Sequence, residues 1–516
     1  MKCLGGGRLF QITCVTLLLW AFGCRKKESP AVNPGAVTSA SADAPKEPVD
    51  PANSMLSYPE FKFGNMPYIA PRDFVPSARL ARKSHNDPAY MEEWNRFTTL
   101  EDYKISGKTN ANWDSLAIDT MATYSELRSL PINSGHAMEL TQMVSKQAAE
   151  AVNAGCDDPL IRYLYVRYVV TQQDGMTSTQ VAEKYTAVAR AIEPSHYSPI
   201  RKLYAYLRAA DAVSNADKKN LALSVDLKMG AVHHLIGALH DTMIPQREAS
   251  DVCKQMWSIC HNNKAVRDQI EEELIPALVK LWPKEAFTYL LKGELYKEKA
   301  WDARGRGYAD SVTQAGFKKF EELLKVSEEA LKKAWDLDKK DPAIPVTLMD
   351  VYLGLGSKPE MERWFQRAME IDPSNMPAVQ AKSFFLQPKW YGSEEEMIAF
   401  GRECVRNKKW KGAVPIMLSD THEIICGFYD PSERAMYWKK PGVWDDLHAS
   451  FERFFELNPE AAGARHNYAR AAYQCGKYDA FLEQVALFPN TNYVYFGGKD
   501  QFDNMVKTAS TRAAKK

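Results

Sequence analysis

The chain has 516 residues, with 66 lysines and arginines against 65 aspartates and glutamates and 45% hydrophobic content. At roughly 100–200 residues per domain, that length allows a few domains or one long repeat array. Charged residues at 25% and aromatic residues at 11% exclude wholesale disorder and collagen-like structure. A formal net charge of +1 argues against generic nucleic-acid binding, which leaves a strongly basic footprint.

The first predicted element lies at residues 1–23. Lys2 and Arg8 form a short basic region ahead of a mostly apolar run from Leu9 to Phe22. That run falls short of the ~20 residues a spanning helix needs, but it has the size of a signal-peptide core followed by small residues. Ala21-Phe22-Gly23-Cys24, with Leu19 upstream, resembles the lipobox of bacterial lipoproteins. The resemblance implies lipidation of Cys24, although Ala21 stands where that family usually has Leu. Arg25-Lys26-Lys27 would then meet anionic head groups. With Arg25 rather than Asp after the Cys, the resemblance to enterobacterial sorting rules points to the periplasmic face of the outer membrane. Residues 24–60 read as a lipidated Cys and a tether, in which Pro30, Pro34, Pro45, Pro48 and Pro51 forbid regular structure.

Beyond about residue 85 the pattern is helical almost throughout, divided into an N-terminal region (61–270), a second region (271–490) and a tail (491–516). In 316–337, Phe317, Phe320, Leu324, Leu331, Ala334 and Trp335 fall at three- and four-residue spacings and form one apolar stripe. LKKAWDLDKKDP (331–342) aligns with FQRAMEIDPSN (365–375), and Ala334 and Ala368 stand 34 positions apart. Further copies occur at 181–195, at 288–298 with Gly293 and Tyr296, and at 464–484 with a turn at Gly476. Small residues at such positions let paired helices approach closely, and stacked neighbours bury what one hairpin cannot. With this period the chain resembles the tetratricopeptide superfamily over about two-thirds of its length. The resemblance implies an all-α, tetratricopeptide-like solenoid of irregular hairpins with inserted loops.

Two stretches fit no repeat helix: WDARGRGYADSV (301–312) and LQPKWYGSEEEM (386–397). With the repeats around them they resemble an uncharacterised bacterial family of tetratricopeptide-like envelope proteins with a Trp-Gly-Ser element. Arg304, Arg306 and Tyr308 form a candidate binding loop, because guanidinium forks recognise carboxylates and phosphates and Tyr suits an interface. The same loop could equally be a long connector pinned by Arg–carboxylate pairs. Trp390 poses the same choice between ligand contact and packing. Ser393 is a binding candidate that reads chiefly as a helix N-cap, with Glu394, Glu395 and Glu396 in the first turn.

Other chemistry is thinly signalled. His233 and His240 share a helical face but are two turns apart, and HEII at 422–425 lacks the second His of a zinc-protease helix. Gly305-Arg306-Gly307 is a lone GxG with no strand before it, and acid pairs such as Glu272-Glu273 suit a solvated helix face. No metal, cofactor, nucleic acid or catalytic residue is expected. After the signal and Cys24, Cys156, Cys253, Cys260, Cys404, Cys426 and Cys475 remain. An oxidising periplasm would allow disulfides among them, and unpaired buried thiols are the alternative. Cys253 and Cys260, seven residues apart on one helix, are too distant to bridge. Two functions follow from these features. One is a membrane-tethered scaffold holding a protein or peptide partner; the other is an enzyme or accessory subunit on cell-wall or imported polymer, with its site near 301–312 and 386–397.

Overall fold

A computed structural model describes residues 71–131, 134–173, 175–216, 221–305, 307, 312–488 and 490–514. Cys24, the signal and tether, Arg306 and Tyr308 lie outside the described residues. Within them the protein is all-α, with no strand, and they fall in one compact unit.

The N-terminal part contains α1 (Pro88–Arg96), α2 (Asp102–Ser106), α3 (Asp114–Ser129), α4 (Gly135–Asn153), α5 (Pro159–Tyr168), α6 (Ser178–Ile192), α7 (Pro199–Ala216), α8 (Leu221–Leu239), α9 (Gln246–Cys260), α10 (Lys264–Gln269) and α11 (Ile275–Leu281). Sequence-coded caps set several starts. Asp87 and Asp158 each cap a helix that opens on Pro, and Thr177 with Gln180 closes a capping box on α6. A π-helical turn, Ile270–Leu274, joins α10 to α11, so helix runs straight through position 270. Polar groups pin this half. Asp102, 1% exposed, accepts hydrogen bonds from Arg72 Nε (3.0 Å), Ser198 N (2.9 Å) and Ser198 Oγ (2.7 Å). Arg128 grips both carboxylate oxygens of Glu248 at 2.9 and 3.0 Å.

The second part contains α12 (Ala286–Arg304), α13 (Gln314–Leu337), α14 (Ala343–Leu355), α15 (Lys358–Ile371), α16 (Met376–Phe385), α17 (Glu394–Arg406), α18 (Met417–Phe428), α19 (Arg434–Tyr437), α20 (Val443–Leu457), α21 (Ala464–Gln474), α22 (Tyr478–Ala486) and α23 (Lys499–Ala513). Neighbours in sequence pack together: α12 on α13, α14 on α15, α17 on α18 and α21 on α22, and α18 also packs on α20. Contacts also run α12–α14, α14–α16 and α16–α18, and a core from Tyr289 to Ala471 threads these helices.

The α12–α13 pair shows why a small residue sits at 293. A Cβ added to Gly293 would stand 2.4 Å from Leu331 Cγ, far inside the ~3.5–4.0 Å optimum for two carbons. Ser327 Oγ, fully buried, donates to the Gly293 carbonyl at 2.7 Å and fixes the same approach from the partner helix. The described part of the C-terminal tail, 491–514, contains helix. Tyr493–Phe496 is a short 3₁₀ turn and α23 packs on α22, because Phe496, Phe502 and Ala509 join Phe481 in a second small core.

Candidate functional site

The two irregular stretches meet. α12 ends at Arg304 and α13 starts at Gln314 behind its N-cap Thr313, whose side chain accepts from Gly316 N at 3.0 Å. α16 ends at Phe385 and α17 starts at Glu394, with Ser393 Oγ accepting from Glu396 N at 3.2 Å. Ser393 is therefore an N-cap with three acids in its first turn, the local role its sequence suggests. The connector before it doubles back tightly: Tyr391 N donates to Phe385 O at 3.2 Å, and a Cβ at Gly392 would lie 2.3 Å from Leu386 O. Only glycine tolerates that backbone approach.

The doubled connector brings Trp390 against Trp301 edge to face, with centroids 6.0 Å apart, and Trp301 in turn against Phe320 at 4.9 Å. Phe384 flanks Trp390 at 5.8 Å. The Arg304 guanidinium lies over both indoles, 5.7 Å from Trp301 and 5.9 Å from Trp390. Its Nη1 donates to the carbonyls of Gly305 (3.3 Å) and Gly307 (3.1 Å). Of the sequence candidates, Arg304 and Trp390 are thus in mutual contact, while Ser393 makes its hydrogen bond within its own helix start. The Trp390 indole Nε1 is buried and has no hydrogen-bond partner among the described residues.

Phe320 also floors an open groove of about 860 Å³, lined by Gln314, Ala315, Phe317, Lys318, Glu321, Gly354 and Leu355 as well. That size is in the range of ligand sites. Phe317 is 39% exposed, so the stripe read from sequence divides: Phe320, Leu324, Leu331 and Ala334 enter the core and Phe317 faces the groove. Glu321 is held by Lys325 at 2.7 Å, which lowers its pKa. Lys389 Nζ sits 4.7 Å over the Phe384 ring, and partial loss of hydration pulls its pKa down. Sequence reasoning reads Phe317 only as part of the α13 stripe and misses Lys318 and Leu355 at the groove. The one signal available was that the α13 stripe extends a turn further towards the N-terminus than the core requires.

Elsewhere, some charged side chains are tied into networks. Lys297 bridges Glu294 (2.9 Å), Asp350 (3.4 Å) and Glu298 (3.6 Å) across α12 and α14. On α18, burial and then the neighbouring charge of Glu423 push the Asp420 carboxyl up to about 7. His422 of the HEII segment, 1% exposed, is an internal strut between Tyr437 Oη (2.8 Å) and Asp446 (3.2 Å). His233 is buried and its pKa falls to about 4 through burial, so its ring is neutral at pH 7. Among the described residues no three His, Cys, Asp or Glu side chains are grouped to hold a metal ion. No helix among them is long and apolar enough to cross a membrane. The six described cysteines are unpaired thiols, all but Cys475 buried.

Compared with known protein families and characterised proteins, the sequence matches no family model and no relative.

Proposed function

We propose that the protein is a lipid-tethered, tetratricopeptide-like helical scaffold in the bacterial envelope that binds a protein or peptide partner. The observation that carries this reading is the convergence of Arg304, Trp301, Trp390 and Phe320 beside an open groove that keeps Phe317 in water. A large exposed ring beside an open hollow suits recognition, and helices on both sides hold it ready. The repeat reading draws support from the paired packing of α12 to α22, from the α12–α14–α16–α18 succession of contacts, and from Ala334 and Ala368, both fully buried at the 34-residue spacing. An enzyme on the same elements has less to work with, because the groove's one carboxylate among the described residues, Glu321, is engaged by Lys325. Anchoring through Cys24 rests on the lipobox-like sequence alone.

Two experiments test the reading. A photoreactive phenylalanine at position 317, introduced in living cells, should trap a discrete adduct that the same probe at an exposed site such as Lys339 does not; no adduct at 317 defeats the binding reading. Cys24→Ser should release the protein from membranes or leave an uncleaved precursor. A processed, membrane-bound variant would end the lipoprotein assignment.

A further inference from the structure

We propose that α3, α5 and α7 present a second binding face, which takes an acidic peptide segment by gripping its side-chain carboxylates with Tyr–Arg pairs repeated from helix to helix. These helices are not those of the groove at Phe317, so either site can fail without the other.

The pairs are encoded as Tyr-x-x-x-Arg: Tyr124 with Arg128 on α3, Tyr163 with Arg167 on α5, and Tyr204 with Arg208 on α7. The three tyrosines stand 39 and 41 residues apart. Four-residue spacing places each Arg beside its Tyr on one helix face. The helices meet at these side chains. The Tyr124 and Tyr168 rings, 6.3 Å apart, join α3 to α5, and Arg201 of α7 lies 5.7 Å over the Tyr124 ring. Burial raises the Tyr163 and Tyr185 phenols, and the Arg167 and Arg208 charges beside both pull the other way.

One pair shows what the arrangement holds. Arg128 donates to both oxygens of Glu248 at 2.9 and 3.0 Å and to Tyr204 Oη at 2.7 Å, while Tyr204 Oη bonds the same carboxylate. Arg167 and Arg208 are half-buried and make no ion pair among the described residues. Asp211, three residues beyond Arg208, accepts from Asn215 at 3.1 Å. An unpaired cation in open water is ordinary, but these two have given up part of their hydration: Arg167 rests 5.3 Å over the Tyr168 ring, and Arg208 shares Tyr163 and Tyr185 with it. An ion pair formed there is worth more than one on an open surface. Behind them Arg201 is 1% exposed and bonds only the neutral acceptors Asn95 Oδ1 (2.7 Å), Thr98 Oγ1 (2.6 Å) and Thr98 O (3.3 Å). Its Nη1 has no hydrogen-bond partner among the described residues. That buried cation adds positive potential at the back of the face.

The occupant seen on Arg128 is a glutamate side chain, and one edge of a guanidinium takes a carboxylate in a two-bond fork. A chain in the polyproline II form turns every third side chain to one side at ~9 Å intervals, close to the ~8–10 Å between packed helices. Glutamates three residues apart therefore match pairs carried on neighbouring helices.

The test is isothermal titration calorimetry on the full-length chain, expressed with its leader and purified in detergent. The end-capped peptides are Pro-Glu-Pro-Pro-Glu-Pro, its uncharged counterpart Pro-Gln-Pro-Pro-Gln-Pro, and its charge reversal Pro-Lys-Pro-Pro-Lys-Pro. The glutamate peptide should bind at least about tenfold more tightly than the glutamine one. Arg167→Lys/Arg208→Lys keeps both charges but removes the forks, and should weaken the glutamate peptide by about tenfold or more. Arg167→Glu/Arg208→Glu should lose that peptide and gain the lysine one, a gain that a misfolded variant cannot give. Equal binding of the glutamate and glutamine peptides would overturn the proposal, as would full affinity in the lysine double variant, which would mean diffuse attraction only. Tighter binding of inorganic phosphate than of the glutamate peptide, or loss of the peptide in Lys318→Glu, which would seat it in the groove, would overturn it too.

Discussion

Gly293→Ala is the sharpest probe of how the helical pairs are built. On an open helix face this change stabilises by ~1 kcal/mol, because alanine is the better helix former. At position 293 the new methyl would lie 2.4 Å from Leu331 Cγ, 2.6 Å from Cδ2 and 3.2 Å from Cδ1. Leu331 is fully buried, and so are Leu324, Ser327 and Ala334 on the same face of α13. It cannot swing into solvent, so α12 and α13 must part. Overpacking of this kind costs about 1–3 kcal/mol, and a contact this short belongs at the upper end. Set against the propensity gain, the expected net loss is ~1–2 kcal/mol, or about 5- to 30-fold. Hydrogen exchange of the α12 and α13 amides reads that loss locally, without requiring the whole chain to unfold in one step. Leu331→Ala alone should destabilise by ~2–5 kcal/mol. Added to it, Gly293→Ala should become neutral or stabilising, a coupling of more than ~1 kcal/mol. Slower exchange in the single Gly293→Ala variant, or strict additivity in the double variant, would refute the close approach of the two helices.

Two further predictions concern buried charge. The raised pKa of Asp420, about 7 against an ordinary 3.8, means that the folded state holds this proton more tightly than the unfolded one. Stability is therefore lost as pH rises from about 4 to about 7. Asp420→Asn should melt higher than the natural protein at pH 8 and converge with it near pH 4; parallel pH profiles would contradict the burial argument. Arg128→Met leaves Glu248, only 2% exposed, without its guanidinium. Urea unfolding should show a loss of ~3–5 kcal/mol, partly recovered in Arg128→Met/Glu248→Leu, whereas equal losses in the single and double variants would show that the pair is not coupled.

Much of the architecture was legible in the sequence because it is encoded locally. The apolar spacing of 316–337 specifies a helix, Ser393 and Thr177 mark helix starts, and Gly293 announces a close approach before any partner is known. The repeat-like alignment of 331–342 with 365–375 is likewise a property of the chain alone, and Ala334 and Ala368 are both fully buried. Only the tertiary structure decided which member of an apolar stripe stays in water. Periodicity assigns Phe317 and Phe320 to one face, but the end of α14 covers the second and leaves the first at the groove. Nor could spacing show that Trp301 and Trp390, far apart in sequence, meet beneath Arg304. That contact depends on the tight return of 386–392 and on how three helices pack, and both are set by the summed burial of the core. The fate of the histidines followed the same rule: HEII carries no sign that His422 would be enclosed by Tyr437 and Asp446, because those partners come from helices that reach it only in the folded chain.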